Sequence, residues 1–165
     1  MNEKINICDL IRSKLIENQR SIAWLAQQVG RKSSLGKMLK NNSMQTALLF
    51  DICSVLRFDF FRSYSEFLSY SIPTHLNLPN SIEIEYVKLE YENRQRIVIG
   101  EMICLKLGEN QRSIAWLAKQ VGRHRSSFGK VLKKDSIDTK LLFDISITLQ
   151  FDFFFYYSEI LRDPR

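Results

Sequence analysis

Apolar residues recur at helical spacing in two stretches of the chain, and each stretch predicts a series of short amphipathic helices. In the first stretch, the pattern predicts helices over about 5–16, 22–29, 33–40, 46–56 and 60–68. The second stretch begins with Ile99, Met102, Ile103 and Leu107 in the same register and predicts further helices over about 114–121, 125–133, 139–149 and 153–161. Ser21 and Ser113 are predicted N-caps of the second helices, which glycines 30 and 122 end, and Asp59 and Asp152 are predicted to cap the last.

The two stretches are copies of one another. Residues 17–26 recur letter for letter as 109–118, and residues 7–68 align with 99–161 with 40 of 62 pairs identical. The only gap is one residue, near Arg125, which makes the turn before the third helix shorter in the first copy. We therefore expect a first domain at 1–68, a linker at 69–98 and a second domain at 99–165.

The linker pattern leaves two interpretations open. Residues 72–79 favour an extended chain, and residues 82–89 alternate apolar and polar positions as a strand does. Asn80 and Glu83, however, have the spacing of a helix-capping pair, and we favour a helix that runs towards the second domain. A flexible linker of 30 residues would reach about 30 Å, enough to let two domains act as a pair.

Charge is unevenly distributed along the 165 residues. The net charge of +6 divides into +4 for residues 1–68, −1 for 69–98 and +3 for 99–165. A hydrophobic content of 45% excludes a disordered basic tail. We find neither a membrane-spanning apolar run nor a secretory signal. Three widely spaced cysteines argue against a disulfide framework or a zinc site and favour a reducing cytoplasm.

The predicted third helix has a basic, acid-free outer face in both copies. Its members are Lys32, Ser33, Gly36, Lys37 and Lys40, with Arg125, Ser126, Gly129, Lys130 and Lys133 as counterparts. A solvated lysine face is the alternative to a nucleic-acid surface, and its recurrence in both copies favours nucleic acid. A glycine inside a helix costs about 1 kcal/mol. Close approach of DNA would explain Gly36 and Gly129, and sequence drift remains equally open.

Residues 117–131 resemble the core motif of the phage-repressor-like helix-turn-helix family, the lambda repressor, Cro or XRE type. Ala118 matches the alanine of the family's second helix, Gly122 its turn glycine and Phe128 its apolar anchor in the third helix. The resemblance covers about 62 residues twice. It implies an all-α fold of two tandem five-helix lambda-repressor-like domains joined by a linker.

The resemblance also implies a site. The family reads bases from the start of the third helix, which assigns base reading here to Arg125, Ser126 and Lys130, and to Lys32, Ser33 and Lys37. Residues beside that helix hold the phosphate backbone, which assigns this role to Arg112, Ser113, Lys133, Lys134, Arg20, Ser21 and Lys40. The expected partner is double-stranded DNA, and the expected function is transcriptional regulation at the nucleoid, in the cytoplasm of a bacterium.

Aromatic residues cluster at the end of each copy, in numbers greater than a 62-residue core needs. We expect part of each cluster to form an interface, either in a homodimer or between the two domains of one chain, which would then be a covalent pseudo-dimer. The alternative function is a protein-interaction or dimerisation module on a degenerate helix-turn-helix scaffold. No nucleophile–base pair, metal cluster or phosphate loop recurs in both copies, so we expect neither an enzyme nor a cofactor.

Overall fold

The computed structural model of the chain describes residues 5–31, 34–72 and 75–163, and these residues are helical apart from turns and two isolated β-bridges. Their eleven helices are α1 (Ile7–Glu17), α2 (Ile22–Gln28), α3 (Leu35–Met38), α4 (Thr46–Leu56), α5 (Phe60–Ser71), α6 (Ser81–Arg94), α7 (Ile99–Glu109), α8 (Ile114–Gln120), α9 (Arg125–Leu132), α10 (Thr139–Leu149) and α11 (Phe154–Arg162). The all-α prediction is therefore confirmed. Within the described ranges, no helix is long and apolar enough to cross a membrane.

Several helix boundaries lie where the sequence predicted them, at the expected capping residues. Helices α4 and α10 have the predicted bounds, and Asp59 accepts the N–H of Arg62 at 3.1 Å, as an N-cap does. The prediction for the last helix was wrong by one residue, because α11 begins at Phe154 rather than 153. Asp152 nevertheless accepts the N–H groups of Phe154 and Phe155 at 3.0 and 3.2 Å and so supplies the cap.

The third helix of the first copy differs from its prediction. A helix over 33–40 was expected, whereas α3 spans only Leu35–Met38 and its counterpart α9 spans Arg125–Leu132. Leu35 must still reach the buried position that Phe128 occupies in the second copy, with one residue fewer after the turn glycine. Leu35 is the first residue of α3, whereas Phe128 is the fourth residue of α9.

The linker contains α6, which confirms the helical interpretation over the strand. Asn80 and Glu83 form a complete capping box, in which each side chain accepts the other residue's backbone N–H. Helix α6 packs against α11 and buries Glu83 and Val87. Before it, Asn77 forms an isolated parallel bridge with Phe151. Helix α6 therefore buries part of its surface on the second copy.

The aromatic helices α5 and α11 pack against each other with reciprocal ring pairs. Phe61 stacks on Tyr157 with ring centroids 4.3 Å apart and an interplanar angle of 9°, and Tyr64 stacks on Phe154 at 4.4 Å and 6°. Phe61 and Tyr64 are the repeat counterparts of Phe154 and Tyr157, and all four are buried. The same pair of positions thus contacts itself across the two copies, as in the isologous interface of a symmetric dimer.

The segments at the starts of α4 and α10 also contact each other reciprocally, through backbone hydrogen bonds. Thr46 N–H donates to Ile137 O at 2.9 Å, and Thr139 N–H donates to Met44 O at 2.8 Å. Each threonine hydroxyl also accepts from the opposite copy, because Ile137 N–H donates to Thr46 Oγ1 at 3.1 Å and Met44 N–H to Thr139 Oγ1 at 3.2 Å. Both threonines are fully buried with their polar groups satisfied, so the two copies are joined by matched polar and aromatic contacts.

Helix α9 lies directly on α7 because one position on α7 has no side chain. A Cβ built on Gly100 would lie 1.7 Å from Leu132 O, far inside any real contact. In the first copy the same position is Cys8, whose Sγ donates to Asn41 O at 3.0 Å. The close packing of the third helix on the first is therefore a property of the second copy.

Candidate nucleic-acid interface

In the second copy, three local features determine the structure of α8, the turn that follows it and α9. Ser113 Oγ accepts the N–H of Trp116 at 3.0 Å and begins α8. Gly122 has φ +67°, a left-handed conformation that ends the helix and favours glycine. Phe128 is buried and fixes α9 on the core. In the first copy Ser21 caps α2 in the same way, and Gly30 has φ +69°.

The predicted base-reading residues of the second copy share one exposed face of α9. Arg125 and Ser126 form its first turn and Lys130 lies one turn later, and all three are exposed. His124 precedes them without a side-chain cap bond, and its carbonyl accepts the hydroxyl of Ser127 at 3.1 Å. The arrangement leaves the first turn of α9 open to a ligand.

In the first copy, one of the predicted base-reading residues lies within the described residues. Lys37 lies on α3 and is exposed, as is Lys40 just beyond it. Lys32 and Ser33 lie outside the described residues. The shortened α3 therefore carries one of the three predicted base-reading residues of this copy.

The arginines predicted to hold phosphates are placed identically in the two copies. The Arg20 guanidinium lies over the Trp24 ring at 4.8 Å, and that of Arg112 lies over Trp116 at 4.8 Å. Both tryptophans are half-buried and pack against the core. A cation–π contact of this kind orients the guanidinium and leaves N–H donors for a phosphate.

Ser21, Ser113, Lys133 and Lys134 complete the predicted phosphate set, and all four are exposed. The serines cap the second helices, so their copies present helix N-termini beside the arginines. The two lysines follow the end of α9 directly. In the second copy, exposed groups that attract phosphate thus lie at the start of α8 and directly after α9.

Ion pairing separates these cations from the other cations of the described ranges. The cations within 4.0 Å of a carboxylate are Arg12, Lys14, Arg62, Lys88, Arg94, Arg96, Lys106 and Arg162. None of them belongs to the predicted site. The predicted site cations that the structure describes are exposed and have no salt bridge to a described carboxylate, so their charge is available to an external anion.

Two further exposed arginines lie close in sequence to the predicted site and were not among its residues. Arg31 and Arg123 directly follow the turn glycines, are exposed and form no salt bridge with a described carboxylate. Arg31 opposes, without cancelling, the rise that burial causes in the pKa of Asp51. Their occurrence at the same position in both copies is the sequence signal that could have identified them.

The glycines of the third helices have no steric role in the free protein. A Cβ on Gly36 or Gly129 would meet no atom within 4 Å. Internal packing therefore does not explain why glycine occupies either position.

Comparison of the chain with protein-family models, with curated proteins and with solved structures finds no match.

Proposed function

We propose that the chain is a sequence-specific double-stranded DNA-binding regulator, with two lambda-repressor-like helix-turn-helix units that act as a covalent pair. One observation carries this proposal: the cations on α9 and next to it in sequence are exposed and form no salt bridge with a described carboxylate. Arg125 and Lys130 are the two that lie on α9 itself. An α-helix fits the major groove of B-DNA, and an arginine there pairs with guanine through two hydrogen bonds. The proposed setting is the nucleoid, in the cytoplasm of a bacterium.

The reciprocal contacts between α5 and α11 support a pair whose two reading surfaces have a fixed relation. Dimers of this class read half-sites about one helical turn, 34–36 Å, apart. In one chain, the stacked pairs of Phe61 with Tyr157 and Tyr64 with Phe154 take the place of a dimer interface. No second chain is then needed to present two units to one duplex.

The two units are proposed to contribute unequally. The second unit reads bases through Arg125, Ser126 and Lys130, because its α9 has two full turns. The first unit has the four-residue α3 and contributes mainly phosphate contacts from Arg20, Lys40 and the exposed Lys37. Phosphate contacts position a protein on the duplex, and base contacts supply its sequence preference.

The proposal is tested by selecting bound duplexes from a random pool with the full chain. We expect an enriched motif with one strongly read half-site and a second, weaker one about 10 base pairs away. Enrichment of a single half-site would show that the first unit does not read sequence. If no motif is enriched and binding is indifferent to sequence, sequence-specific regulation is wrong.

The protein-interaction alternative loses one of its supports in this structure. The surplus of aromatic residues suggested an external interface, but Phe61, Tyr64, Phe154 and Tyr157 are buried between α5 and α11 of one chain. A partner complex that survives Arg125→Ala with Lys130→Ala, in a chain that binds no DNA, would favour this alternative.

A further inference from the structure

Helix α6 covers a defined face of the second copy. This face, named here the second outer face, consists of Glu101, Met102, Lys106, Phe151, Tyr156 and Glu159. The buried Glu83 of α6 accepts hydrogen bonds from Lys106 Nζ and, at 3.3 Å, from Tyr156 OH. Burial alone would lower the pKa of Lys106, but the hydrogen bonds and charges of Glu83 and Glu109 outweigh it and raise that pKa.

Further contacts fix α6 and the residues before it on the second outer face. Tyr86 OH donates to Glu101 Oε2 at 2.9 Å, and Lys88 Nζ lies 3.9 Å from Glu159 Oε2. The extended residue Asn77 donates its N–H to Gln150 O and accepts that of Asp152, both at 2.9 Å. The face therefore binds an extended residue followed by a helix that carries a carboxylate.

The first copy repeats this face, residue for residue, with similar chemistry. The first outer face consists of Asp9, Leu10, Lys14, Phe58, Ser63 and Glu66. Lys14 Nζ lies 4.8 Å from the Phe58 centroid and 2.8 Å from Glu17 Oε2. Lys106 Nζ has the same surroundings, at 4.6 Å from Phe151 and 2.9 Å from Glu109 Oε2. Ser63, which replaces Tyr156, removes one contact that α6 uses, and Asp9 and Glu66 pair with Arg12 and Arg62 of their own helices.

The first outer face is open where the second is closed. Leu10 is 41% exposed against 2% for Met102, and Phe58 is 39% exposed against 4% for Phe151. Arg57 O and Asp59 N, which correspond to the two atoms that pair with Asn77, have no backbone partner in the described ranges. The first copy thus exposes apolar surface around a lysine and leaves two backbone groups without a described partner. On the second copy, α6 and Asn77 cover the corresponding surface and backbone groups.

We propose that the first outer face is a docking site for a partner helix of the α6 type. The partner is an N-capped amphipathic helix that carries a glutamate for Lys14 and an aliphatic residue one turn later, preceded by an extended residue that pairs with Arg57 and Asp59. Because α6 occupies the second copy of its own chain, we assign this helix to a partner protein. The surface lies on α1, on α5 and on the turn before α5, and none of its six residues belongs to the proposed DNA-binding set, so docking and DNA binding use different side chains.

A peptide of residues 75–95 is the probe, because it carries the residues that dock on the second outer face. It is titrated with the full chain by fluorescence anisotropy at about 0.15 M salt, which screens non-specific attraction of an acidic peptide. We expect saturable binding that Lys14→Glu weakens at least about tenfold and that Lys40→Glu, the same charge change on the DNA-facing side, leaves unchanged.

The charge exchange makes the test specific. A peptide with Glu83→Lys is expected to bind poorly to the natural chain and to regain affinity for the Lys14→Glu chain. Absence of saturable binding up to about 1 mM peptide, equal losses for Lys14→Glu and Lys40→Glu, or no recovery in the exchange would each overturn the proposal. Circular dichroism of the Lys14→Glu chain verifies folding, and its unchanged DNA affinity separates this site from the DNA-binding proposal.

Discussion

The two copies match at the contacts that join them and differ in the length of their third helices. Phe61, Tyr64 and Thr46 recur unchanged as Phe154, Tyr157 and Thr139, and each pairs across the interface. Helix α9 has eight residues, whereas α3 has four. In a reciprocal interface a change in one copy alters the contacts of the other, whereas a solvent-facing helix can change alone. The pair is thus symmetric in how it assembles and asymmetric in what it presents.

The largest expected effect tests the symmetry of the interface. Phe61→Ala and Phe154→Ala each remove a fully buried ring that stacks on a tyrosine, so each is expected to cost about 4 kcal/mol of unfolding free energy. Chemical denaturation of the two variants measures this. Costs that differ by more than about 2 kcal/mol would show that the interface is not energetically reciprocal.

A charged pair distinguishes the covered from the open outer face. Lys106→Met leaves buried Glu83 without its ammonium partner and is expected to cost about 3 kcal/mol, whereas Lys14→Met, at an exposed ion pair, is expected to cost under about 1 kcal/mol. The pKa of Lys106 is raised in the folded state, so its stabilisation is present below its ordinary value of 10.5 and is lost as pH rises through the raised value. The difference in unfolding free energy between the natural chain and Lys106→Met is therefore expected to shrink at pH values above the raised pKa of Lys106. Equal costs for Lys106→Met and Lys14→Met would contradict the role of α6.

The contact between α7 and α9 is expected to have an effect of similar size. Gly100→Ala places a methyl group against Leu132 O and is expected to cost about 3 kcal/mol, because backbone rather than a flexible side chain must move. Cys8→Ala, at the same position of the first copy, removes one sulfur atom and is expected to cost about 1 kcal/mol. Thermal unfolding of both variants tests this, and a tolerated alanine at position 100 would refute the close packing.

The smallest stability effect concerns the glycine of α9. Gly129→Ala meets no atom in the free protein and is expected to stabilise α9 by about 0.5–1 kcal/mol. If DNA approaches this backbone closely, the same variant binds its duplex more weakly while melting at a higher temperature. A more stable variant with unchanged DNA affinity would favour drift as the origin of the glycine.

Local patterns predicted most helices, because their signals are contained within a few residues. The serine caps at 21 and 113, the glycine turns and the bounds of α4 and α10 depend on neighbours in sequence. The shortening of α3 was not predictable in the same way. It depends on the buried position that Leu35 must reach, which is a tertiary requirement.

Contacts between segments that are distant in the chain were also not predicted from the sequence. The alternating pattern of 82–89 left its structure ambiguous. Its contacts with Lys106 of α7 and Tyr156 of α11 involve residues more than 20 positions away. The candidate site was easier, since exposed cations at fixed positions after a cap or a turn glycine are local signals. Arg31 and Arg123 were missed because the family motif, rather than the recurrence in both copies, selected the residues.

The central claim, that α9 binds duplex DNA, is tested most directly by affinity for the selected duplex between about 50 and 200 mM salt. Three proteins are compared: the natural chain, Arg125→Ala with Lys130→Ala, and Arg62→Ala with Arg162→Ala, which removes the same charge from exposed positions elsewhere. We predict salt-sensitive binding by the natural chain, a loss of about 100-fold in the first variant and a change under about threefold in the second. No duplex binding by the natural chain at the lowest salt, or equal losses in the two variants, would contradict the claim.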